Sequence, residues 1–395
     1  MLFNADNYLL VIPIALAVGI GWWLGRKECK KTKVPLATNL SHEYFTGLDY
    51  LLNEKMDEAI ESFIRALEIN SDTIPAHIAL AKLFRRKGDV DRAIKIHQNL
   101  LARPDLNRDD FMRVQMALAR DYYAVGLLDR AENLLQEIIK TSSKSVQAKA
   151  LTLLIKLYEK EGEWQNALDS AELLSQDYKK EIANELSHYC CELAEKFMTA
   201  KKMNQAADYM KKAALFDPGN VRVSLQQARF EMSSKNWKPA IKHLKSVARR
   251  DKLFVSETIP YMKTCCKKTD SMAEFTNYLQ LSLGHAPSTT VILALAEQIK
   301  QDKGIYAAGS FITEELKRRP SVKGFNSLID LHIEYGSDSA KESLAVLRGL
   351  TGQLENSKPI YRCNSCGFSG RSLSWQCPSC KKWGSTKPIQ GLEGE

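Results

Sequence analysis

"KGDVDRAIKIHQNLL" occupies residues 87–101, and it decides the fold. A Gly-Asp turn leads into a run whose apolar residues recur at helical spacing, with Ala93 at the position that must face a neighbour. The same sentence is written elsewhere: "NEKMDEAIESFIRAL" (53–67), "VGLLDRAENLLQEI" (125–138) and "EGEWQNALDSAELL" (161–174). "AKKMNQAADYMKKAALFDP" (200–218) and "SKNWKPAIKHLKSV" (234–247) are further copies. Their aligned alanines are Ala59, Ala93, Ala131, Ala167, Ala206 and Ala240, at steps of 34, 38, 36, 39 and 34. A degenerate copy is expected at Ala273, and firmer ones at Ala308 and Ala340.

Twelve positions before these alanines stand Gly47, Ala81, Ala119, Ile155, Ala194, Ala228 and Ala296. Two antiparallel helices approach closely only where small side chains meet, and Ile155 predicts a looser pair. Pro218 and Pro320 lie twelve residues after their alanines, where a second helix should stop. Gly88, Gly126, Gly162 and Asn53 supply turn chemistry between paired helices. This pattern resembles tetratricopeptide repeats in period and in its small/small/Pro signature. The resemblance implies roughly nine helix pairs stacked as an all-α solenoid, because no single pair buries its apolar face alone. It also implies a groove that binds protein segments.

The chain ends differently. Cys363-x-x-Cys366 and Cys377-x-x-Cys380 form two pairs, each able to offer two sulfurs from one tight turn. Four thiolates suit a single zinc or iron ion. Gly367 follows the first pair, where positive φ lets backbone N–H groups reach sulfur; Lys381 stands at the equivalent place after the second. The segment looks like a rubredoxin or zinc-ribbon module, which leaves iron and zinc both open. Four cysteines close the metal site, so a structural or docking role is expected and catalysis is not. Electron transfer through bound iron is the alternative. Trp375 and Trp383 are expected as exposed or semi-exposed anchors for a partner, or as packing against the metal knuckles.

At the other end, "NYLLVIPIALAVGIGWWLG" (7–25) is nineteen residues without a charge. As a helix it would span about 28 Å, close to the ~30 Å hydrocarbon core. "RKECKKTK" follows, placing the remaining chain on the cytoplasmic side. The expected organisation is a transmembrane anchor (1–25), a basic linker (26–39), the repeats (40–354) and the four-cysteine metal-binding module (358–389).

Composition narrows the function further. The net charge of +9 sits mainly in the juxtamembrane stretch and in residues 358–388, which hold six basic residues and no acid. The long middle is nearly neutral, which argues against a nucleic-acid-binding body. Nine cysteines, with Cys190-Cys191 and Cys265-Cys266 adjacent, do not form a secreted disulfide framework; those four are expected as buried apolar residues. The histidines at 42, 77, 97, 188, 243, 285 and 332 read as satisfied positions on helix surfaces. No G-x-S-x-G, H-E-x-x-H or phosphate-loop motif is present, so no enzyme is indicated.

Taken in order, anchor, repeats and a "YRCNSCGFS…WQCPSCKKW" ribbon are similar to the lipopolysaccharide assembly protein B family. That resemblance implies a single-pass inner-membrane adaptor. Its partners would be the membrane-bound AAA+ protease FtsH, the committed-step lipid A deacetylase and lipopolysaccharide transport components. It carries over Cys363, Cys366, Cys377 and Cys380 as metal ligands and no catalytic residue.

Overall fold

The computed structural model describes residues 17–20, 22–23, 36–69, 73–335 and 338–392. Most of the apolar run 7–25 and the basic stretch after it lie outside these residues. Among the described residues, no helix is long and apolar enough to cross a membrane.

The chain divides at residue 157 into two units. The first contains α1 (Leu36–Leu52), α2 (Met56–Ile69), α3 (Ile74–Lys87), α4 (Val90–Leu101), α5 (Arg108–Val125) and α6 (Leu128–Thr141). α7 (Lys144–Glu161) runs across the boundary. The second unit continues with α8 (Trp164–Glu172), a short α9 (Gln176–Glu181), α10 (Ala183–Thr199), α11 (Met203–Phe216), α12 (Val221–Ser233) and α13 (Trp237–Arg250). After a 3₁₀ turn at Lys252–Phe254 come α14 (Val255–Lys268), α15 (Met272–His285), α16 (Thr289–Lys303), α17 (Ile305–Arg318), α18 (Val322–Tyr335) and α19 (Asp338–Ser357). With α9 set aside, the described residues hold nine helix–turn–helix pairs.

The small-residue ladder does what its spacing requires. Ala59, Ala93, Ala131, Ala167, Ala206 and Ala240 are fully buried, as are Ala81, Ala119, Ala194 and Ala228. At Gly47 even a methyl group would come within 3.1 Å of the Phe63 ring, so the first pair needs its glycine. Ile155 is also buried. α11 and α17 end at Phe216 and Arg318, two residues before Pro218 and Pro320.

Two alanines do not hold their expected place. Ala273 is exposed, and the first buried residue of that helix is Phe275, which is fully buried. In the well-formed copies the buried alanine is the fourth residue of its helix; α15 begins at Met272, which makes Phe275 the fourth. Ala340 is exposed as well.

The turns explain this register. In seven copies the chain is left-handed five residues before the buried position, and three of these sites are Gly88, Gly126 and Gly162. At the others the same conformation is carried by Glu54, Lys201, Lys235 and Asp270, with φ between 52° and 60°. A side chain in this region costs on the order of 1 kcal/mol, which the pairing of two helices readily offsets. Asp270 lies five before Phe275, the same offset as Gly88 from Ala93, so the degenerate copy is a regular repeat with an aromatic in place of alanine.

After α19 the chain forms three short strands, β1 (Tyr361–Cys363), β2 (Ser369–Gly370) and β3 (Thr386–Pro388), in the antiparallel order β2-β1-β3.

Candidate metal centre

Each cysteine pair closes a knuckle by the same backbone bonds. In the first, Gly367 N–H donates to the Cys363 carbonyl (2.9 Å), and Cys363 N–H donates to Phe368 O (2.7 Å). In the second, Lys381 N–H donates to the Cys377 carbonyl (3.0 Å), and Cys377 N–H donates to Lys382 O (3.0 Å). Gly367 has φ +78° and Lys381 has φ +60°. The lysine therefore adopts the backbone a glycine would, and the second knuckle keeps its shape.

Together the knuckles bring all four sulfur atoms within 4.8 Å of one another. Cys363 Sγ lies 3.7 Å from Cys380 Sγ, and Cys366 Sγ lies 3.6 Å from Cys377 Sγ. Sulfurs at the corners of a tetrahedron with metal–sulfur bonds of about 2.3 Å are separated by about 3.8 Å. The donor set and its spacing thus fit one tetrahedral ion, and a soft thiolate set suits zinc or iron.

The surroundings favour thiolate at some corners. The Ser385 hydroxyl, 3.2 Å from Cys363 Sγ, and the backbone amides of Cys366 and Ser365 draw the Cys363 thiol down to about 6. The Phe368 amide lowers Cys366. Burial pushes Cys377 up to about 11, so this thiol in particular would need a cation beside it to ionise.

The ribbon is not free-standing. Trp383 is buried against the repeats of its own unit, stacked on His188 of α10 at 4.9 Å between ring centroids. It meets Trp164 and Tyr189 edge-on at 5.8 and 6.0 Å. Its indole N–H donates to Glu159 Oε1 (3.0 Å), which also accepts from the Gln376 amide. The Tyr189 hydroxyl donates to Glu159 Oε2 (2.6 Å), so one carboxylate gathers three neutral donors. Trp375 stacks on Phe254 at 5.4 Å. Beneath the two indoles lies the buried Arg222 guanidinium, 5.8 Å from one ring and 6.0 Å from the other, and paired with Glu192 (2.9 Å). At the rim Lys387 pairs with Asp251 (2.6 Å), and Tyr361 donates to Glu257 (2.7 Å).

These contacts correct two expectations. Trp383 is buried and not presented to solvent as a partner anchor, and the half-buried Trp375 also packs on the repeats. Nor are all histidines at helix surfaces, since His97 and His188 are buried. Burial, followed by Arg222 and Lys387, lowers His188 to about 3, so it is a neutral ring at neutral pH. The adjacent cysteines behave as expected: burial pushes Cys190 and Cys191 up to about 12 and Cys265 up to about 11, which makes them unreactive.

Comparison with known proteins agrees with both parts. Residues 361–388 match the rubredoxin metal binding domain family, and residues 76–110 match the tetratricopeptide repeat. Over 387 residues the chain is 36% identical to lipopolysaccharide assembly protein B of Escherichia coli strain K12, covering 98% of this chain and 99% of that one. The chain belongs to the lipopolysaccharide assembly protein B family. The family member from Haemophilus influenzae is 31% identical over 394 residues, with 98% and 99% of the two chains covered. A solved tetratricopeptide repeat protein from Parabacteroides merdae aligns at 14% identity over 80% of this chain and 100% of that chain, with a TM-score of 0.28.

Within this family member, the residues that sequence reasoning missed are Glu159, His188 and Arg222. Each looks like an ordinary helical polar residue, and each acquires its role only when a segment some 150–225 residues later folds onto it.

Proposed function

We propose that this chain is a non-enzymatic, membrane-tethered adaptor in the control of lipopolysaccharide synthesis. The anchor 1–25 holds it at the inner membrane with the repeats in the cytoplasm. The repeats receive the committed-step lipid A deacetylase and bring it to FtsH for degradation, and the protein also supports lipopolysaccharide transport assembly. Cys363, Cys366, Cys377 and Cys380 bind one zinc or iron ion that holds the ribbon in shape. The observation that carries this reading is the match to lipopolysaccharide assembly protein B over 98% of the chain, spanning both repeats and ribbon.

Affinity capture from solubilised membranes tests it, using the intact chain and the Cys363→Ser/Cys366→Ser variant, with metal content measured on each. The intact chain is expected to carry one ion and to recover both the protease and the deacetylase. The variant is expected to lose the ion and at least one partner. Recovery of neither protein by the intact, metal-loaded chain would overturn the adaptor assignment.

A further inference from the structure

The first unit contains a cleft of about 1070 Å³ lined from α1, α3, α5 and α7. Its floor is apolar, with Leu48, Leu51, Ile78, Met112, Met116 and Val146 among its residues. Its walls carry five cations, Lys82, Arg108, Arg113, Arg120 and Lys149, against the carboxylates Asp109 and Asp110. Asp110 is already engaged: it accepts a hydrogen bond from the Asn107 amide (2.7 Å) and lies 3.4 Å from Arg113. Arg108 donates to the Thr141 carbonyl (3.1 Å). Among the described residues, Lys82, Arg120 and Lys149 have no carboxylate within ion-pair distance. The one acid next to Arg120 in sequence, Asp121, is turned inward and held by Arg85 and by buried His97. Desolvation, and after it the Arg85 charge, lowers Arg120. An incoming anion would offset the Arg85 repulsion and stabilise the charged form of Arg120.

We propose that this cleft is the docking site for an acidic protein segment with apolar anchors. The assignment rests on the adaptor reading and names the chemistry of what the adaptor holds. Three observations favour a polypeptide over a lipid headgroup or a free phosphate. The unpaired cations stand on three different helices, α3, α5 and α7, so they match charges spread along a chain and do not converge on one point. With helix spacings of about 10 Å, four helices extend some 30 Å, the reach of about nine residues of extended chain. The floor supplies two methionines, which pack adaptably against varied apolar side chains.

The test uses the full chain in phosphatidylcholine nanodiscs. The probe is a fluorescein-labelled peptide of about sixteen residues, alternating leucine and glutamate pairs, with its lysine-for-glutamate counterpart as control; it exceeds the reach of the cleft estimated above. The acidic peptide is expected to bind, more weakly as salt rises, and the basic one not to bind. Lys82→Glu/Lys149→Glu is expected to weaken binding at least roughly tenfold; both side chains are exposed and unpaired, so the fold should survive, as circular dichroism would verify. Lys211→Glu, at an exposed position of α11, is expected to leave binding unchanged. Equal binding of both peptides, or full binding by the double variant, would overturn the proposal. So would flotation with phosphatidylglycerol liposomes that depends on Lys82 and Lys149 in the absence of peptide binding, since that would make the cleft a headgroup site. If no peptide binds but membrane capture still recovers protein partners, the cleft assignment fails and the adaptor reading stands.

Discussion

Trp383→Ala isolates the joint between ribbon and repeats. The indole leaves a pocket walled by His188, Trp164, Tyr189 and Glu159, and its N–H no longer reaches the Glu159 carboxylate at 3.0 Å. Removing a buried tryptophan costs about 3–5 kcal/mol. Trp383→Phe keeps the stacking and loses the charge-assisted hydrogen bond, a smaller cost of about 1.5–3 kcal/mol. Neither change touches a sulfur, so both variants should retain their metal. An energy of about 4 kcal/mol raises the detached population roughly 1000-fold. Hydrogen exchange should therefore accelerate on α10 around His188 and on α12 around Arg222. Protease should begin to cut near residues 355–360, with Ala more affected than Phe. Unchanged exchange on α10 would show that the indole does not hold the joint. Loss of metal in parallel with loss of protection would show that it supports the knuckle instead.

Three further outcomes follow from specific contacts. Because the buried His188 titrates near 3 and an unfolded histidine near about 6.5, stability is whole above roughly pH 6.5 and falls as pH drops toward 3. The loss at about pH 5 is about 2 kcal/mol relative to about pH 7. His188→Phe should remove that slope in urea titrations, and an unaltered slope would exonerate the ring; its Nδ1 has no hydrogen-bond partner to forfeit. Asp121→Asn should destabilise the first unit by about 3–5 kcal/mol, because Arg85 and His97 lose the buried carboxylate they share. A change under about 1 kcal/mol by the same titration would mean that the triad is not a strong constraint. Lys381→Gly should relax a positive φ and slow metal loss to a chelator, by about 1 kcal/mol at most, since glycine also adds freedom to the unfolded chain. Faster loss would show that the lysine side chain contributes something its backbone does not.

The repeats are legible because interhelix distance is a local demand. In most copies the paired helices approach over alanine or glycine, so Ala59, Ala93 and their equivalents are visible as a period. The register is missed at Ala273 because the buried position five residues after the left-handed Asp270 holds Phe275, an aromatic where the other copies hold alanine. The cysteine pairs are equally readable, since both knuckles need their donors within four residues of sequence. The seat of the ribbon is not. Glu159, His188, Arg222 and Phe254 come from four separate elements, and neither their spacing nor their chemistry marks them. Arg222 is the instructive case: an arginine near the start of a helix is usually solvated, yet here it is buried because two indoles arrive from residues 375 and 383.

The seat of the ribbon also bears on the proposed metal. A module of about thirty residues cannot bury a core of its own, and metal coordination can supply on the order of 10 kcal/mol of its folding. Its two largest apolar side chains, Trp375 and Trp383, are spent on the repeats and not on itself. Metal binding and docking are therefore linked, and linkage is reciprocal. Whatever docking contributes to the folded ribbon must reappear as metal affinity, provided the metal-free ribbon is unfolded. If docking is worth about 4 kcal/mol, residues 358–392 expressed alone should bind metal roughly 1000-fold more weakly than the intact chain. In the other direction, stripping the metal should uncover His188, Arg222 and Phe254 together. Equal metal affinity in the isolated ribbon and the intact chain would mean that the ribbon folds independently and merely rests on the repeats.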